Sequence, residues 1–535
     1  MPTDCIPFRE TNYFSSLICD YLDENPDLKS FYNRFPNLEN FKAQIDAKRH
    51  SELVSESHRT ILTKVLKKQY QNIRASALTK QNIEDLKQQN TFTITTGHQL
   101  NLFTGHLYFL YKIVSTINLT KELKAKYPEY NFVPIYWMAT EDHDFEEINY
   151  FNFKGKKIHW NIESKGAVGE LNTNGLEDVF KIFASEIGQG TNADFLKDLF
   201  KNAYLQNNNL AEATRYLANE IFSAYGLVIL DGNDSDLKRL FIPFIEEELV
   251  SQTSYKKVIE TSKRLNNLTS NYKVQVNPRE INLFYLNKGL RERIVETDGL
   301  YKVNDTEISW SKEDLLKEVH EHPERFSPNV IMRPLYQEVI LPNLCYIGGG
   351  GELAYWLQLK SYFEAVKVPF PMLLLRNSVL IKTQKQTQKL DKLNLKLQDL
   401  FLKQEDLINR QINILSTIDV DFTSQKEHLN QQFKVLHKLA EQTDKSFVGA
   451  VAAQEKKQIN GLANLEKRLL KAQKRKLNEQ ITRIINLQNE LFPAQSLQER
   501  NLNFSELYLE FGERLIQQLV LNLQPLKGEF LILNS

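Results

Sequence analysis

The sequence is poor in cysteine, has no long apolar run and carries no excess charge of either sign. Its 3 cysteines, Cys5, Cys19 and Cys345, are too few and too scattered for a disulfide framework or a CxxC metal site. The 67 Lys and Arg residues equal the 67 Asp and Glu residues, so the chain lacks the global positive field of a protein that coats nucleic acid. No apolar run approaches the ~18–20 residues that span a bilayer, and no secretory signal is visible at the N-terminus. We therefore expect a cytoplasmic protein that binds neither membranes nor nucleic acid.

The sequence does contain enough apolar material for a large core. Hydrophobic residues make up 41% of the chain and aromatic residues 11%, which excludes a largely disordered or fibrous protein. At roughly 150 residues per domain, the length corresponds to about three to four structural units.

Proline is absent between Pro371 and Pro493, and glycine occurs there only as Gly449 and Gly461. Because proline and glycine are the main helix breakers, this scarcity predicts long helices. Apolar side chains recur at spacings of three, four and seven, a coiled-coil pattern, at Leu390, Leu393, Leu397, Leu400, Leu407 and Ile414. We predict a first helix of ~38 residues, with breaks near 416–424 and 443–446. Such an arm most often associates with a second copy of its own chain; gripping another macromolecule is the alternative.

Outside the arm, short β-rich runs alternate with helical segments. Strands are predicted at 91–96, 132–138, 227–230, 344–347 and 372–375, and helices at 106–126, 211–225, 352–365 and 503–523. Repeated strand–loop–helix units predict a mostly parallel sheet with helices on both faces. The stretches 148–162 and 272–310 have the pattern of short antiparallel strands instead, so we interpret them as insertions.

These patterns divide the chain into a discontinuous core and an arm. The core is predicted in three parts, at 1–147, 206–271 and 326–378, separated by insertions at 148–205 and 272–325. The coiled-coil arm follows at 379–497, and a C-terminal helix and strand at 498–535 return to the core.

Ligands of an open α/β sheet bind beyond the carboxyl ends of its strands, so the segments after predicted strands are candidate sites. The first segment contains Gly97, His98, Gln99, Asn101 and Gly105. Its glycines permit close backbone approach, and the helix that follows offers N-terminal N–H groups to an anion. The alternative is a capping loop with a hydrogen-bonded histidine. The segment is neither a Walker A loop nor a GxGxxG motif.

The second segment is acidic and follows the predicted strand at 132–138. It contains Trp137, Glu141, Asp142, His143 and Asp144. Charged side chains directly after a buried strand are costly unless they have partners, and such clusters act as general acids and bases, hold metals or bind amines. A solvated acidic loop is the alternative. A metal site built from His98, His106 and His143 is not favoured, because spacing alone does not bring them together.

The third and fourth segments lie late in the predicted core. Arg333 can pair with a carboxylate or phosphate through two hydrogen bonds, or it can tie an insertion to the core. The fourth segment exposes backbone N–H groups between a strand and a helix, and it contains Gly348, Gly349, Gly350, Gly351, Glu352, Tyr355 and Trp356. Cys345, just before it, is interpreted as a core residue.

Four motifs together resemble a known family. They read Thr-Gly-His-Gln…Phe-Thr-Gly at 96–105, Trp-Met-Ala-Thr-Glu-Asp-His-Asp-Phe-Glu-Glu-Ile at 137–148, Arg-Pro-Leu-Tyr-Gln-Glu at 333–338 and Gly-Gly-Glu-Leu-Ala-Tyr-Trp at 350–356. Their order and the late coiled-coil arm resemble the cysteine-adding enzymes of bacillithiol biosynthesis over essentially the whole chain. The second motif is the most specific.

The resemblance implies a fold and an activity. The fold is an α/β, Rossmann-like nucleotide-binding core related to class I aminoacyl-tRNA synthetases, with connecting-peptide insertions and a long α-helical coiled-coil domain that forms a homodimer. The activity is a ligase reaction that joins L-cysteine, as an activated species, to the amine of glucosaminyl-malate in the last step of bacillithiol biosynthesis. ATP or another adenine nucleotide is the implied cofactor, and no metal is predicted. The synthetase signatures His-x-Gly-His and Lys-Met-Ser-Lys-Ser are absent.

The resemblance also implies roles for the candidate residues. Gly97, His98 and Gln99 would face the nucleotide or the activated cysteine, and the segment 142–144 would hold the sugar amine and accept its proton. His98, Asp142, His143 and Asp144 are thus the predicted catalytic residues, and the other candidates are predicted to bind substrate or nucleotide. Arg333 would face the malyl carboxylates. A nucleotide-binding coiled-coil scaffold without catalysis and a metal-dependent hydrolase that uses 141–144 are the alternatives.

Overall fold

The computed structural model describes residues 3–51, 53–268, 272–416, 418 and 420–534. Contacts between residues divide the chain into two units. The core unit comprises residues up to 380 together with 498–533, and the arm unit is built mainly from residues 381–497.

A five-stranded parallel sheet forms the centre of the core unit. Its strands are β1 (Thr91–His98), β2 (Asn131–Met138), β3 (Val228–Asp231), β4 (Asn343–Gly348) and β5 (Met372–Leu375). They lie in the order β5-β4-β1-β2-β3, and every neighbouring pair is parallel. All residues of β1, β4 and β5 are buried, so both faces of the sheet are covered.

Helices cover the sheet with apolar side chains. Phe41 of the helix Asn40–His50 and Leu119 of the helix Tyr108–Lys126 belong to one buried cluster with Phe92 of β1. Each fully buried side chain of this size contributes about 1.5–3 kcal/mol to folding. This packing fixes the strand ends that carry the polar segments.

The remaining elements of the core unit complete the layers and the insertions. Its other α-helices are Ser16–Leu22, Glu56–Gln69, Ala77–Asp85, Phe145–Ile148, Leu176–Ile187, Thr191–Phe200, Leu210–Phe222, Ser235–Arg239, Ile242–Ser251, Thr253–Asn266, Lys312–Glu321, Arg333–Ile340, Gly350–Trp356, Lys360–Ala365, Phe504–Phe511 and Arg514–Asn522. The strands Tyr150–Phe153 and Lys156–His159 form an antiparallel hairpin. A second antiparallel sheet contains Leu283–Asn287, Leu290–Thr297, Leu300–Val303, Ser309–Trp310 and Phe326–Pro328. Thr3–Pro7 pairs with Glu529–Asn534, and Val379–Lys382 is a further strand at the boundary between the units.

The arm unit contains two long helices, Thr423–Ala440 and Lys445–Lys476. The ion pairs Lys426–Glu466, at 2.6 Å, and His437–Glu455, at 2.8 Å, show that these helices run antiparallel. The other helices of the unit are Gln384–Lys392, Gln404–Leu415 and Asn478–Leu491.

The structure confirms the predicted fold class and the central strands but corrects three helix predictions. The expected first arm helix of ~38 residues is wrong, because a strand, two shorter helices and a 3₁₀ turn (Leu397–Phe401) occupy that stretch, with Asn394 at φ +50°. The predicted helix 352–365 is interrupted after Trp356, and the predicted helix 503–523 is interrupted at Gly512, where φ is +57°. The predicted break at 443–446 is confirmed, whereas the break at 416–424 falls partly on residues outside the described ones.

Candidate active site

A cavity of about 270 Å³ opens beyond the carboxyl ends of β1, β2 and β4. Strand ends, the helix Arg333–Ile340 and the start of the helix Gly350–Trp356 all contribute to it. Its lining residues are Gly97, His98, Gln99, Tyr108, Lys112, Trp137, Ala139, Asp142, Val330, Arg333, Pro334, Gln337, Tyr346, Glu352, Tyr355 and Trp356. The cavity lies where a parallel sheet of this kind binds its ligands.

An ion pair between buried Lys112 and partly buried Glu352 holds one wall of the cavity. Lys112 Nζ lies 2.6 Å from Glu352 Oε2 and donates a 2.5 Å hydrogen bond to the carbonyl oxygen of Gly97. Glu352 also accepts hydrogen bonds from the Tyr346 hydroxyl (2.7 Å) and the Gly349 N–H (2.8 Å). Burial lowers the pKa of Lys112, whereas the pKa of Glu352, which burial alone would raise, is held below its usual range by Lys112. The glycine segment is thereby fixed against the end of β1.

Asp142 and Arg333 place opposite charges in the same cavity. Burial alone would raise the pKa of Asp142, but Arg333 and Arg291 lower it below its usual range, so the carboxylate is ionised near neutral pH. Asp142 also accepts hydrogen bonds from Gln99 Nε2 (3.3 Å) and the His143 N–H (2.9 Å). Burial alone would lower the pKa of Arg333, but Asp142 raises it above its usual value. A ligand that carries both an ammonium group and a carboxylate or phosphate matches this arrangement.

His98 enters the cavity as a neutral imidazole. Its ring packs between the rings of Tyr108 and Phe109, with centroids 5.5 and 5.1 Å away. Burial, followed by the charge of Lys112, lowers the pKa of His98 well below its usual value. His98 Nε2 is buried and has no hydrogen-bond partner within the described part of the chain.

A second lining residue also carries a buried polar atom without a partner among the described residues. It is Gln337, whose Oε1 atom is buried. Buried polar atoms of native proteins nearly always have partners. Two such atoms around one cavity indicate that a polar ligand completes it.

The structure brings together half of the residues predicted from the sequence and places the others outside the cavity lining. Those that line the cavity are Gly97, His98, Gln99, Trp137, Asp142, Arg333, Glu352, Tyr355 and Trp356. Those that do not are Asn101, Gly105, Glu141, His143, Asp144, Gly348, Gly349, Gly350 and Gly351.

The residues outside the lining have identifiable contacts. The half-exposed side chain of His143 accepts a 2.6 Å hydrogen bond from Arg291 Nη1 at its Nδ1 atom. Glu141 forms an ion pair with buried Lys238. Asp144 is exposed and precedes the short helix Phe145–Ile148.

The loop after β1 is fixed by its own packing. Asn101 Nδ2 donates a 3.2 Å hydrogen bond to the carbonyl oxygen of Glu147. Gly105 has φ +63°, and a Cβ atom there would lie 2.5 Å from the Cβ atom of Asn101. The second glycine of this motif is therefore required by backbone geometry.

Sequence reasoning missed several residues of the site, including Tyr108, Lys112, Gln337, Tyr346 and Arg291. Lys112 left a signal, since it is a lone cation within an apolar helical run. Arg291 left none, because it is one of three consecutive charged residues in its strand Leu290–Thr297, and only the fold turns this arginine inward.

Three further observations concern metals, thiols and membranes. Within the described ranges, no group of three or more His, Cys, Asp or Glu side chains is arranged to hold a metal ion. Cys345 is fully buried, and burial raises the pKa of its thiol well above the usual value. None of the helices in the described part of the chain is long and apolar enough to cross a membrane.

Comparison with known proteins identifies the family. The model described as the N-terminal Rossmann-like domain of bacillithiol biosynthesis BshC matches residues 1–377, and the C-terminal coiled-coil domain of BshC matches residues 379–535. Relatives named "Putative cysteine ligase BshC" include those of Flavobacterium johnsoniae, 62% identical over 100% of both chains, and Christiangramia forsetii, 60% identical over 100% of this chain and 99% of the other. The relative from Cytophaga hutchinsonii is 36% identical over 97% of this chain and 96% of its own. These matches confirm the resemblance seen in the four motifs: the chain belongs to the bacillithiol biosynthesis BshC family.

Proposed function

We propose that this chain joins the carboxyl group of L-cysteine to the amine of glucosaminyl-malate, forming an amide in the last step of bacillithiol biosynthesis. The observation that carries the proposal is a cavity with an ionised carboxylate, Asp142, and a guanidinium, Arg333, in a chain whose two domains both match this family. Both proposed substrates carry an amine and at least one carboxylate, which are the groups that this pair of charges would bind.

Amide formation requires an activated carboxyl group, a deprotonated amine and a site that holds them together. ATP or another adenine nucleotide is proposed to activate the cysteine carboxyl by giving it a phosphate leaving group. The amine nitrogen then bonds to the carbonyl carbon, the leaving group departs with its oxygen, and the amine loses a proton. The residues of the chain position these groups and accept the proton.

The geometry favours distinct roles for Asp142 and His98. Asp142 is ionised, so it carries the negative charge that pairs with the incoming ammonium group. His98 is neutral and lines the cavity, and its Nε2 atom has no hydrogen-bond partner among the described residues. We assign His98 as the proton acceptor and Asp142 as the group that holds the amine.

Three other residues complete the proposed site. Arg333 would bind the malyl carboxylates, since its guanidinium lines the same cavity as Asp142, which raises its pKa. Gly97 leaves room at the strand end, because a Cβ atom there would lie 3.1 Å from the Tyr346 hydroxyl oxygen. His143 lies outside the lining and is held by Arg291, so its role would be to support Asp142 through its backbone N–H.

A thiol profile of cells that lack this chain tests the function. Loss of bacillithiol with accumulation of glucosaminyl-malate is the expected result. An unchanged profile would contradict the proposal and favour a nucleotide-binding scaffold without catalysis. The gene is then restored as wild type, as Asp142→Asn or as the matched exposed change Asp144→Asn. This comparison distinguishes a requirement for the chemistry at Asp142 from a requirement for the protein alone. We expect wild type and Asp144→Asn to restore bacillithiol, and Asp142→Asn to restore much less.

We also propose that the arm unit forms a homodimer and that the enzyme acts on its small-molecule substrates in the cytoplasm without nucleic acid. Large apolar side chains are exposed on the two long arm helices, including Val435 (68% exposed), Leu439 (54%) and Phe447 (45%). A second copy of the arm would cover them. Sedimentation equilibrium is expected to give a dimer for the wild type and a monomer for the double variant Val435→Glu/Leu439→Glu. A monomeric wild type would contradict the proposal.

A further inference from the structure

A second cavity, of about 620 Å³, lies at the other end of the central sheet. Phe92, the second residue of β1, and Pro342, which directly precedes β4, line it. His98, at the far end of β1, belongs to the candidate active site. His98 follows Phe92 by six positions along this extended strand, which is about 20 Å at roughly 3.3 Å per residue. The two cavities are therefore separate sites.

The lining of this second cavity is predominantly basic. Two helices supply its charged residues, and these are Lys48, Arg49, His50, Glu56 and Arg59. Among the described lining residues, Glu56 is the single acidic one. Lys48 is neutralised by Glu338, whose Oε2 atom lies 3.0 Å from its Nζ. Among the described lining residues, Arg49 and Arg59 therefore supply the positive charge, against the single carboxylate of Glu56.

Arg59 is a buried cation without a counter-charge among the described residues. Its side chain belongs to a residue only 4% exposed, and its Nη1 donates hydrogen bonds to the carbonyl oxygens of Leu86 (2.9 Å) and Thr91 (3.0 Å). No carboxylate of the described residues lies within 4.0 Å of it, and burial lowers its pKa to about 10. Carbonyl groups orient a guanidinium but do not neutralise it, and an uncompensated buried charge is costly. A bound anion would remove that cost.

A helix N-terminus adds a second source of positive potential. The helix Glu56–Gln69 begins at this cavity, and its N-cap, Ser55, also lines it. Backbone N–H groups and the helix dipole favour an anion at such a position. Exposed Arg49 stands at the end of the preceding helix, Asn40–His50.

We propose that this cavity binds a small phosphorylated molecule, with the phosphate between Arg49, Arg59 and the N-terminus of the helix Glu56–Gln69. Guanidinium groups pair with phosphate oxygens through two hydrogen bonds at once. The volume lies within the range of about 300–1,000 Å³ that small-molecule sites occupy. Val54, Phe92 and Pro342 supply an apolar surface for the rest of the ligand.

Titration calorimetry of the full-length protein with pyrophosphate at physiological salt tests this site directly. We expect binding that persists in Arg333→Gln, which alters the candidate active site, and that weakens at least tenfold in Arg49→Glu and in Arg59→Gln. Arg74→Glu is the matched control, because it makes the same charge change at an exposed arginine outside the lining, and it should bind like the wild type.

Each contrary outcome would overturn the proposal. Absence of binding, or equal binding by wild type and Arg49→Glu, would exclude the phosphate site. Loss of all binding in Arg333→Gln would place the anion in the candidate active site instead. L-malate, titrated in the same way, distinguishes carboxylates from phosphates: we expect it to bind at least tenfold more weakly, and equal binding would overturn the assignment to phosphate.

Two features keep this experiment interpretable. Arg59 also fixes the carbonyl groups of Leu86 and Thr91, so thermal unfolding must show that Arg59→Gln is folded; exposed Arg49 supplies the variant that does not depend on this. The measurement records binding alone, so the proposal stands or falls independently of the ligase reaction.

Discussion

Replacing Asp142 with asparagine is expected to impair ligation strongly while leaving the fold intact. Asparagine keeps the size and one acceptor oxygen of Asp142, so the hydrogen bond from the His143 N–H, 2.9 Å long in the wild type, can be retained. What it removes is the negative charge that faces Arg333 and Arg291 and that is proposed to hold the substrate ammonium group.

The size of the effect follows from the burial of this carboxylate. The Asp142 side chain is 21% exposed, so its interaction with an ammonium group is only partly screened by water. A charge-assisted hydrogen bond contributes about 1.5–3 kcal/mol. At about 1.36 kcal/mol per factor of ten, kcat/KM should fall about 10- to 150-fold.

The assay is the initial rate of cysteinyl-glucosaminyl-malate formation, followed by mass spectrometry, with the amine substrate varied. Asp144→Asn is the matched control, since it makes the same chemical change at an exposed position outside the cavity lining. Surface substitutions usually change free energies by less than about 0.5 kcal/mol, so this control should stay within about twofold of wild type. If Asp142→Asn kept the wild-type rate, or if Asp144→Asn fell as far, the assignment of the amine site to Asp142 would be wrong.

Three further predictions concern stability. Lys112→Met leaves Glu352 without its ion-pair partner. Because the Glu352 side chain is only 26% exposed, we expect the free energy of unfolding in urea to fall by about 3 kcal/mol. Adding Glu352→Gln should recover most of this loss, and equal stability of the single and double variants would contradict the pairing. The folded-state pKa of His98 lies below that of the unfolded chain, so the unfolded chain binds more protons below pH 6.5. The free energy of unfolding should therefore fall as the pH is lowered from 6.5 toward the folded-state pKa. His98→Gln should flatten this dependence, and identical pH profiles of stability for the wild type and His98→Gln would refute the prediction. Gly105→Ala combines φ +63° with a Cβ atom 2.5 Å from Asn101, so we expect a loss of about 1–3 kcal/mol; an unchanged melting temperature would show that the loop relaxes freely.

The central strands could be predicted from the sequence because each is a short apolar run bounded by turn residues. The strand Met372–Leu375 was predicted with its observed bounds, and β1 was predicted to within two residues. The candidate site could be predicted in part for the same reason: Gly97 and His98 end one such strand, and Asp142 lies in the loop after another.

Long-range contacts explain most of what the sequence did not predict. The helix expected at 352–365 is interrupted near Gln358, whose buried side chain accepts hydrogen bonds from the backbone N–H groups of Gln275 and Val276, at 3.0 and 3.1 Å. Lys112 and Arg291 reach the site or its edge from a helix and from an inserted strand that carry no recognisable motif. Helix propensity alone predicted an unbroken helix at the start of the arm, where the structure has a turn at Asn394.

Reconstitution with purified components tests the central claim most directly. The protein is incubated with glucosaminyl-malate, L-cysteine and ATP, and the products are followed by mass. The account predicts an amide of cysteine and glucosaminyl-malate that appears only when protein, both substrates and the nucleotide are all present, and that forms much more slowly with Asp142→Asn. Absence of this product with folded protein, or an equal rate with Asp142→Asn, would contradict the account.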